Sequence, residues 1–173
     1  MTLFTTTLQK FDSNLWGFHL PVPTGIAEEF IEGNDRRVVC NINNTIQIHG
    51  ALMPYAEGYF LLLNNDLVKK LRLSVGANVQ LQLEKDRSEF GMPMPESFHA
   101  LLEQDEEGNK YFEKLTPGKK RSLIYIVGKV KNIDSQLNKG LAILHLLKLE
   151  EGRLDYKKLN LLIKEYNQRS KLR

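Results

Sequence analysis

The sequence contains four histidines and one cysteine, the side chains that most often act in catalysis or bind metals. His19, His49, His99 and His145 are scattered. No two of them have the spacing that places both imidazoles on one face of a helix. Cys40 would be a nucleophile if a histidine approached it, but its apolar neighbours are typical of a packed strand. We therefore predict no catalytic residue, no cofactor and no metal site.

The segment 116–121 has the composition of a basic helix N-terminus. Thr116 is a good N-cap, and Pro117 favours the first helical position. The unpaired N–H groups of a first turn attract anions, although the strand and glycine of a nucleotide phosphate loop do not precede it. The alternative is a solvated basic face. The residues predicted to bind an anion are Lys119, Lys120, Arg121 and Lys129.

Charge is distributed unevenly along the chain. Its net charge is +3, but residues 1–91 have a net charge of −2 and residues 92–173 have +5. An acidic ligand or protein partner is therefore expected at the second half. A basic group in the first half, Lys69, Lys70 and Arg72, gives nucleic acid as an alternative partner. We do not favour it, because the aromatic residues of the second half have the spacing of helix cores.

The composition predicts a globular protein. A chain of 173 residues, of which 42% are hydrophobic, can bury a core in one domain or two small ones. The first residues lack a signal-peptide pattern, and no apolar run is long enough to span a membrane. The single cysteine excludes an intrachain disulfide. We expect a cytoplasmic monomer or dimer.

The first 90 residues alternate short β-rich runs with turn residues. The pattern predicts strands over 3–11, 18–23, 37–42, 46–53, 59–63 and 78–83, and the short loop 43–45 predicts a hairpin between the third and fourth of them. The stretches 18–42 and 60–83 share the order strand, cap, short helix, glycine turn and strand. The repetition predicts a duplication that closes a six- to seven-stranded barrel with pseudo-two-fold symmetry and two short helices. The alternative is that the similarity does not indicate a duplication, because any two strand–helix–strand units look alike in sequence.

The sequence pattern changes after residue 90. Two prolines within 91–95 remove backbone donors, so this segment is predicted to be a linker. Apolar periodicity predicts helices over 96–105, 110–114, 119–130, 137–147 and 155–168, and Asp134 and Asp155 are the predicted caps of the last two. The predicted class is α+β, with a barrel domain over 1–90, a linker over 91–95 and a helical module over 96–173.

A family resemblance rests on the residues from 94 to 147. Part of the chain resembles the C-terminal helical module of the bacterial YdeI/OmpD-associated family, and the barrel half is similar to the small domain that commonly precedes it. The resemblance covers about residues 3–149 and implies bacteriocin or cationic-peptide protection and association with an outer-membrane porin. The residues that carry it are Pro95-Glu96-Ser97-Phe98, Leu101-Leu102, Phe112, the run 115–127 and Lys129-Val130-Lys131.

A second resemblance is looser. The stretch 61–84 has a strand, a short basic helix, Gly76 and another strand, and it is similar to the swapped-hairpin barrel half of AbrB-type transcription regulators. Those proteins build one barrel from two chains, so the resemblance implies a single-chain version of that fold.

These observations favour a non-enzymatic bacterial binding or stress-response protein, in which barrel and helices together present a cleft or basic surface to an acidic ligand or protein. The first alternative is a DNA-binding regulator acting through the barrel. The second is an enzyme for a small anionic metabolite, which would need His19, His49 or Cys40 to converge with the basic segment.

Overall fold

Two antiparallel sheets and seven helices account for the regular structure of the described residues. The computed structural model describes residues 1–12, 17–55 and 58–171. Contacts divide the chain into two compact units, Met1–Gly91 and Met92–Arg173. Strands lie in the first unit, and five of the helices lie in the second. The predicted α+β class is confirmed.

The strands of the first unit are short and separated by turns or one-turn helices. The helices are α1 (Thr24–Glu28) and α2 (Asn65–Lys70). The strands are β1 (Thr2–Thr7), β2 (Gln9–Lys10), β3 (Phe18–Val22), β4 (Arg37–Ile42), β5 (Ile46–Ala51), β6 (Met53–Tyr55), β7 (Gly58–Leu63) and β8 (Asn78–Lys85).

The strand order has an internal symmetry. One sheet has the order β1-β8-β4-β5 and the other the order β2-β3-β7-β6, and every pair is antiparallel. If β1–β4 are exchanged with β5–β8, every strand keeps equivalent neighbours, and each sheet has the same order read from its opposite edge. The central pairs, β4 with β8 and β3 with β7, join equivalent strands of the two repeats. This is the arrangement that a duplicated chain with a two-fold axis produces.

Two of the predicted strands each form two strands in the structure. The chain passes from one sheet to the other at Leu8 and again at Leu52, which are both fully buried. Leu8 N–H donates to the carbonyl of Ala77 at 2.9 Å, and Leu52 N–H donates to that of Arg36 at 2.8 Å. The described part therefore has eight strands rather than six or seven, because an apolar run does not reveal a corner in the backbone.

The described strands pair as two hydrogen-bonded sheets. β1 lies beside β3 and β5 beside β7, but no hydrogen-bonded ladder of the described residues joins either pair. The apolar inner faces of the sheets meet in one core, which contains Val38, Cys40 and Ile42 of β4 and Leu20 and Val22 of β3. The two sheets thus pack as layers that share corner residues, and closure into a barrel stays a prediction.

The helices of the second unit surround α6. They are α3 (Glu96–Gln104), α4 (Glu106–Glu113), α5 (Pro117–Gly128), α6 (Ile133–Leu149) and α7 (Tyr156–Lys171), and α3, α4, α5 and α7 all contact α6. Thr116 and Asp155 cap α5 and α7 as predicted. The cap predicted at Asp134 is wrong, because α6 begins earlier and Asn132 Oδ1 accepts from Ser135 N–H at 2.9 Å.

Replacing Gly140 by alanine is expected to destabilise the second unit. The added Cβ would lie 2.5 Å from Leu101 Cδ1 and 3.2 Å from Phe98 Cδ2, and the resulting crowding costs about 1–3 kcal/mol. Better helix propensity offsets about 1 kcal/mol, which leaves a net loss of about 1 kcal/mol in urea unfolding. Gly118→Ala is the matched control, because nothing lies within 4 Å of its added Cβ. Equal losses in both variants would contradict the packing.

Candidate functional site

Four ring side chains lie together on the β2-β3-β7-β6 sheet, on the side away from the core between the sheets. Phe18, Leu20 and Val22 of β3 point into that core or pack against it, so the alternation of the strand turns His19 to the opposite face. His19 stacks on Phe11 with ring centroids 3.7 Å apart, and it meets Phe60 edge to face at 5.5 Å. The ring cluster consists of Phe11, His19, Tyr55 and Phe60.

His19 occupies a position where the other repeat has a phenyl ring. His19 precedes Pro23, the N-cap of α1, by four residues, and Phe60 precedes Asn64, the N-cap of α2, by the same number. Both rings are buried. Because a phenylalanine fills the equivalent position, packing alone does not require an imidazole at His19.

The imidazole of His19 is nearly removed from water. The residue is 6% exposed, and no described residue hydrogen-bonds its Nδ1. Burial lowers the pKa of His19, so the ring is neutral near pH 7 and has one donor and one acceptor nitrogen. A buried polar atom without a partner costs about 1–3 kcal/mol. This cost distinguishes His19 from the apolar rings beside it.

A cavity of about 420 Å³ lies next to the ring cluster. Its volume is that of a site for a small organic molecule. Thr6 Oγ1 donates to the carbonyl of Pro21 at 2.8 Å and so links β1 to β3 at the cavity wall. Among the described residues, no Asp, Glu, Lys or Arg lines it. The lining residues are Thr5, Thr6, Gln9, His19, Pro21, Val22, Pro23, Tyr55, Gly58, Tyr59 and Phe60.

A cluster of polar side chains lies at the other sheet, β1-β8-β4-β5, and consists of His49, Asp86 and Ser88. The carboxylate of Asp86 is 1% exposed and accepts from Nδ1 of His49 at 2.8 Å and from Oγ and N–H of Ser88 at 2.5 and 3.0 Å. Burial acts to raise the pKa of Asp86, but these hydrogen bonds outweigh burial and hold it below its usual value. Asp86 bridges the other two residues, so this geometry does not pair a serine nucleophile with a histidine base.

Cys40 does not have the properties of a nucleophile. Its side chain is fully buried in the core, and burial raises the pKa of the thiol to about 12. His19 and His49 lie on outward faces of the two sheets, so neither converges with Cys40 on one site. The thiol therefore stays protonated and packs as a small apolar group.

The residues of the predicted anion site divide between the two ends of α5. Lys119, Lys120 and Arg121 lie in its first turns, whereas Lys129 follows its last residue. Lys120 Nζ is 2.6 Å from Glu113 Oε2 and 5.5 Å from the centre of the Phe112 ring. The Lys119 N–H already donates to Oγ1 of the cap, at 3.4 Å. Anion binding there stays a prediction.

The alternative nucleic-acid group is at the end of α2. Lys69 and Lys70 form its last turn, and Arg72 follows in a left-handed backbone conformation with φ of 53°. All three side chains are exposed. Their contact with nucleic acid stays a prediction.

No group of three or more His, Cys, Asp or Glu side chains in residues 1–12, 17–55 and 58–171 is arranged to hold a metal ion. Within the same ranges, no helix is both long enough and apolar enough to cross a bilayer.

Two family models match successive parts of the chain. Residues 4–83 match the model described as "Domain of unknown function (DUF1905)". Residues 91–138 match the model described as "Bacteriocin-protection, YdeI or OmpD-Associated". The predicted family resemblance is confirmed. The cavity falls within the DUF1905 match, whereas α7 lies beyond both matches. No curated protein and no solved structure gives a significant match.

Sequence reasoning missed the ring cluster of the first unit. Phe11, Tyr55 and Phe60 belong to separate segments, and only their pairing with β3 brings them to His19. One signal was present in the sequence. When the two repeats are aligned on their helix caps, His19 stands opposite Phe60, and a histidine opposite a core aromatic marks a departure from symmetry.

Replacing Asp86 by asparagine is expected to lower the free energy of unfolding by about 2 kcal/mol at neutral pH, because charge-assisted hydrogen bonds are lost. The folded pKa of Asp86 lies below the unfolded one. Its stabilising effect is therefore present above roughly pH 4 and is lost as the pH falls through the folded value. Urea titrations at several pH values should show the difference shrinking on acidification. Glu84→Gln, at an exposed carboxylate in the strand that precedes Asp86, is the control, and a difference independent of pH would contradict this account.

Proposed function

We propose that this protein is a binding protein whose N-terminal unit takes a small, uncharged, planar organic molecule into the cavity beside the ring cluster. The observation that carries the proposal is His19, a neutral imidazole whose buried Nδ1 has no partner among the described residues, in the wall of a cavity of about 420 Å³.

The walls of the cavity support this class of ligand. Tyr55, Tyr59 and Phe60 provide aromatic surface, on which a planar ring gains about 0.5–1.5 kcal/mol beyond its buried area. No charged side chain of the described residues is available to neutralise an ionic group there, so an ion would lose its hydration without compensation. Thr5, Gln9 and His19 provide the few polar groups that orient a ligand in such sites.

Binding without turnover fits the described groups better than catalysis. The Thr6 hydroxyl in the cavity wall already donates to a carbonyl, and no described nucleophile lies there with a base oriented toward it. The YdeI/OmpD-associated match supports a role in bacteriocin protection. We further propose that this role is exercised in the bacterial cytoplasm, where the lone thiol of Cys40 stays reduced.

The basic groups support two other proposals. Lys119, Lys120, Arg121 and Lys129 would bind an acidic ligand on the helical unit, and Lys69, Lys70 and Arg72 would contact nucleic acid. Neither group lines the cavity beside the ring cluster or the one between α6 and α7. The cavity beside the ring cluster therefore has the stronger claim to a small molecule.

Titration with phenol tests the proposal. We expect saturable shifts of the backbone amide NMR signals of Gly58 and Tyr59 in the full chain, and smaller shifts with cyclohexanol, which is not planar, and with benzoate, which is charged. Tyr55→Ala should weaken phenol binding by about fivefold. Tyr125→Ala is the matched control, because Tyr125 is 55% exposed and Tyr55 is 60% exposed. An absence of saturation, or equal weakening by both variants, would refute the proposal.

His19→Phe separates a binding role from a packing role. The change makes the two repeats alike and removes the unpaired nitrogen, so the free energy of unfolding should rise by about 1 kcal/mol. Phenol binding should weaken by about threefold or more, because a hydrogen-bond partner for the hydroxyl is lost. Thermal unfolding and the NMR titration measure the two effects. A variant that is less stable and binds phenol normally would identify His19 as a packing residue.

A further inference from the structure

The inner face of the last helix is well defined. Leu159 of α7 is buried, and Leu162, Ile163 and Tyr166 are partly buried. These positions follow the helical period and face α6, which α7 contacts extensively. The opposite face of α7 is therefore the surface available to a partner.

Three lysines recur every seventh residue along that outer face. Lys157, Lys164 and Lys171 are exposed, and none has an ion-pair partner within the described part of the chain. The other cations of the helix differ, because Lys158 pairs with Glu150 at 2.6 Å and Arg169 pairs with Glu165. The acidic residues of the unit thus neutralise the flanks of α7 and leave this lysine row unneutralised.

The lysine row is long and has an apolar side chain within it. Seven residues of helix advance about 10.5 Å, so the row extends about 21 Å. A seven-residue repeat drifts by only about 20° per interval, which keeps the three ammonium groups on one face. Leu161 lies between Lys157 and Lys164 on the same face and is 65% exposed.

We propose that the outer face of α7 docks an acidic amphipathic helical segment of another protein. A central leucine flanked by charges resembles the apolar centre and polar rim of a protein interface. Carboxylates repeated at the heptad spacing on the partner would meet the lysines in register. A bilayer would require more apolar residues than Leu161 alone on this face, and nucleic acid would gain little from the leucine.

The test uses the full chain and a synthetic peptide about three heptads long, with glutamate at every seventh position and leucines between. Binding is measured at low ionic strength by fluorescence anisotropy. Lys157→Gln/Lys164→Gln should weaken binding by about fivefold or more, and Lys158→Gln/Arg169→Gln, which removes the same charge, by less than about twofold. Leu161→Ser should also weaken it. A peptide of scrambled sequence with identical composition should bind less tightly.

Several outcomes would overturn the docking proposal. Equal weakening by the two double variants would show that only the net charge matters. Equal affinity for the scrambled peptide would remove the role of the heptad register. Tighter binding to a DNA duplex, or to vesicles containing phosphatidylglycerol, would assign the lysine row to another class of partner. None of these results bears on the cavity of the first unit.

Discussion

The core between the two sheets imposes the constraint on which the first unit depends. Each strand must turn alternate apolar side chains inward, and at two single-residue corners the chain must pass between the sheets without leaving backbone groups unpaired. Leu8 and Leu52 meet both requirements, since each is fully buried and each donates its N–H to the residue before a central strand. The outward positions are then free to carry polar and aromatic residues with other roles.

The candidate site arises where the repeats stop being equivalent. The paired strands β3 and β7 place His19 and Phe60 in contact near the middle of one sheet. Phe60 fills the equivalent position of the other repeat with a phenyl ring, whereas the unpaired nitrogen of the His19 imidazole is a local cost to stability. Such a cost is expected where a residue serves binding.

In the helical unit, too, the residues that pack against one another are different from those that carry the surface charge. Its central helix, α6, contacts each of the other four helices, and close approach at Gly140 brings Leu101 and Phe98 of α3 against it. The YdeI/OmpD-associated match ends at residue 138, before most of α6 and all of α7. The lysine row therefore belongs to a part of this chain that the family match does not describe.

The sequence by itself determined the class of the protein, most of its elements and its family. Apolar periodicity and capping residues act over a few positions, so Thr116, Asp155 and the hairpin between β4 and β5 could be read directly from local order. The corners at Leu8 and Leu52 could not be read in this way, because an apolar run has the same sequence pattern whether or not the chain passes to the other sheet within it.

Only the tertiary structure decided the site. His19, Phe11, Tyr55 and Phe60 lie on segments that are distant in sequence, and the pairing of β2, β3, β6 and β7 brings them together. Likewise, nothing in the sequence distinguishes Asp86 from the other carboxylates. Its role follows from the fold, in which β8 lies near β5 and His49 hydrogen-bonds the Asp86 carboxylate. Burial and hydrogen bonding set the pKa of a group, and both are properties of neighbours that only the folded chain provides.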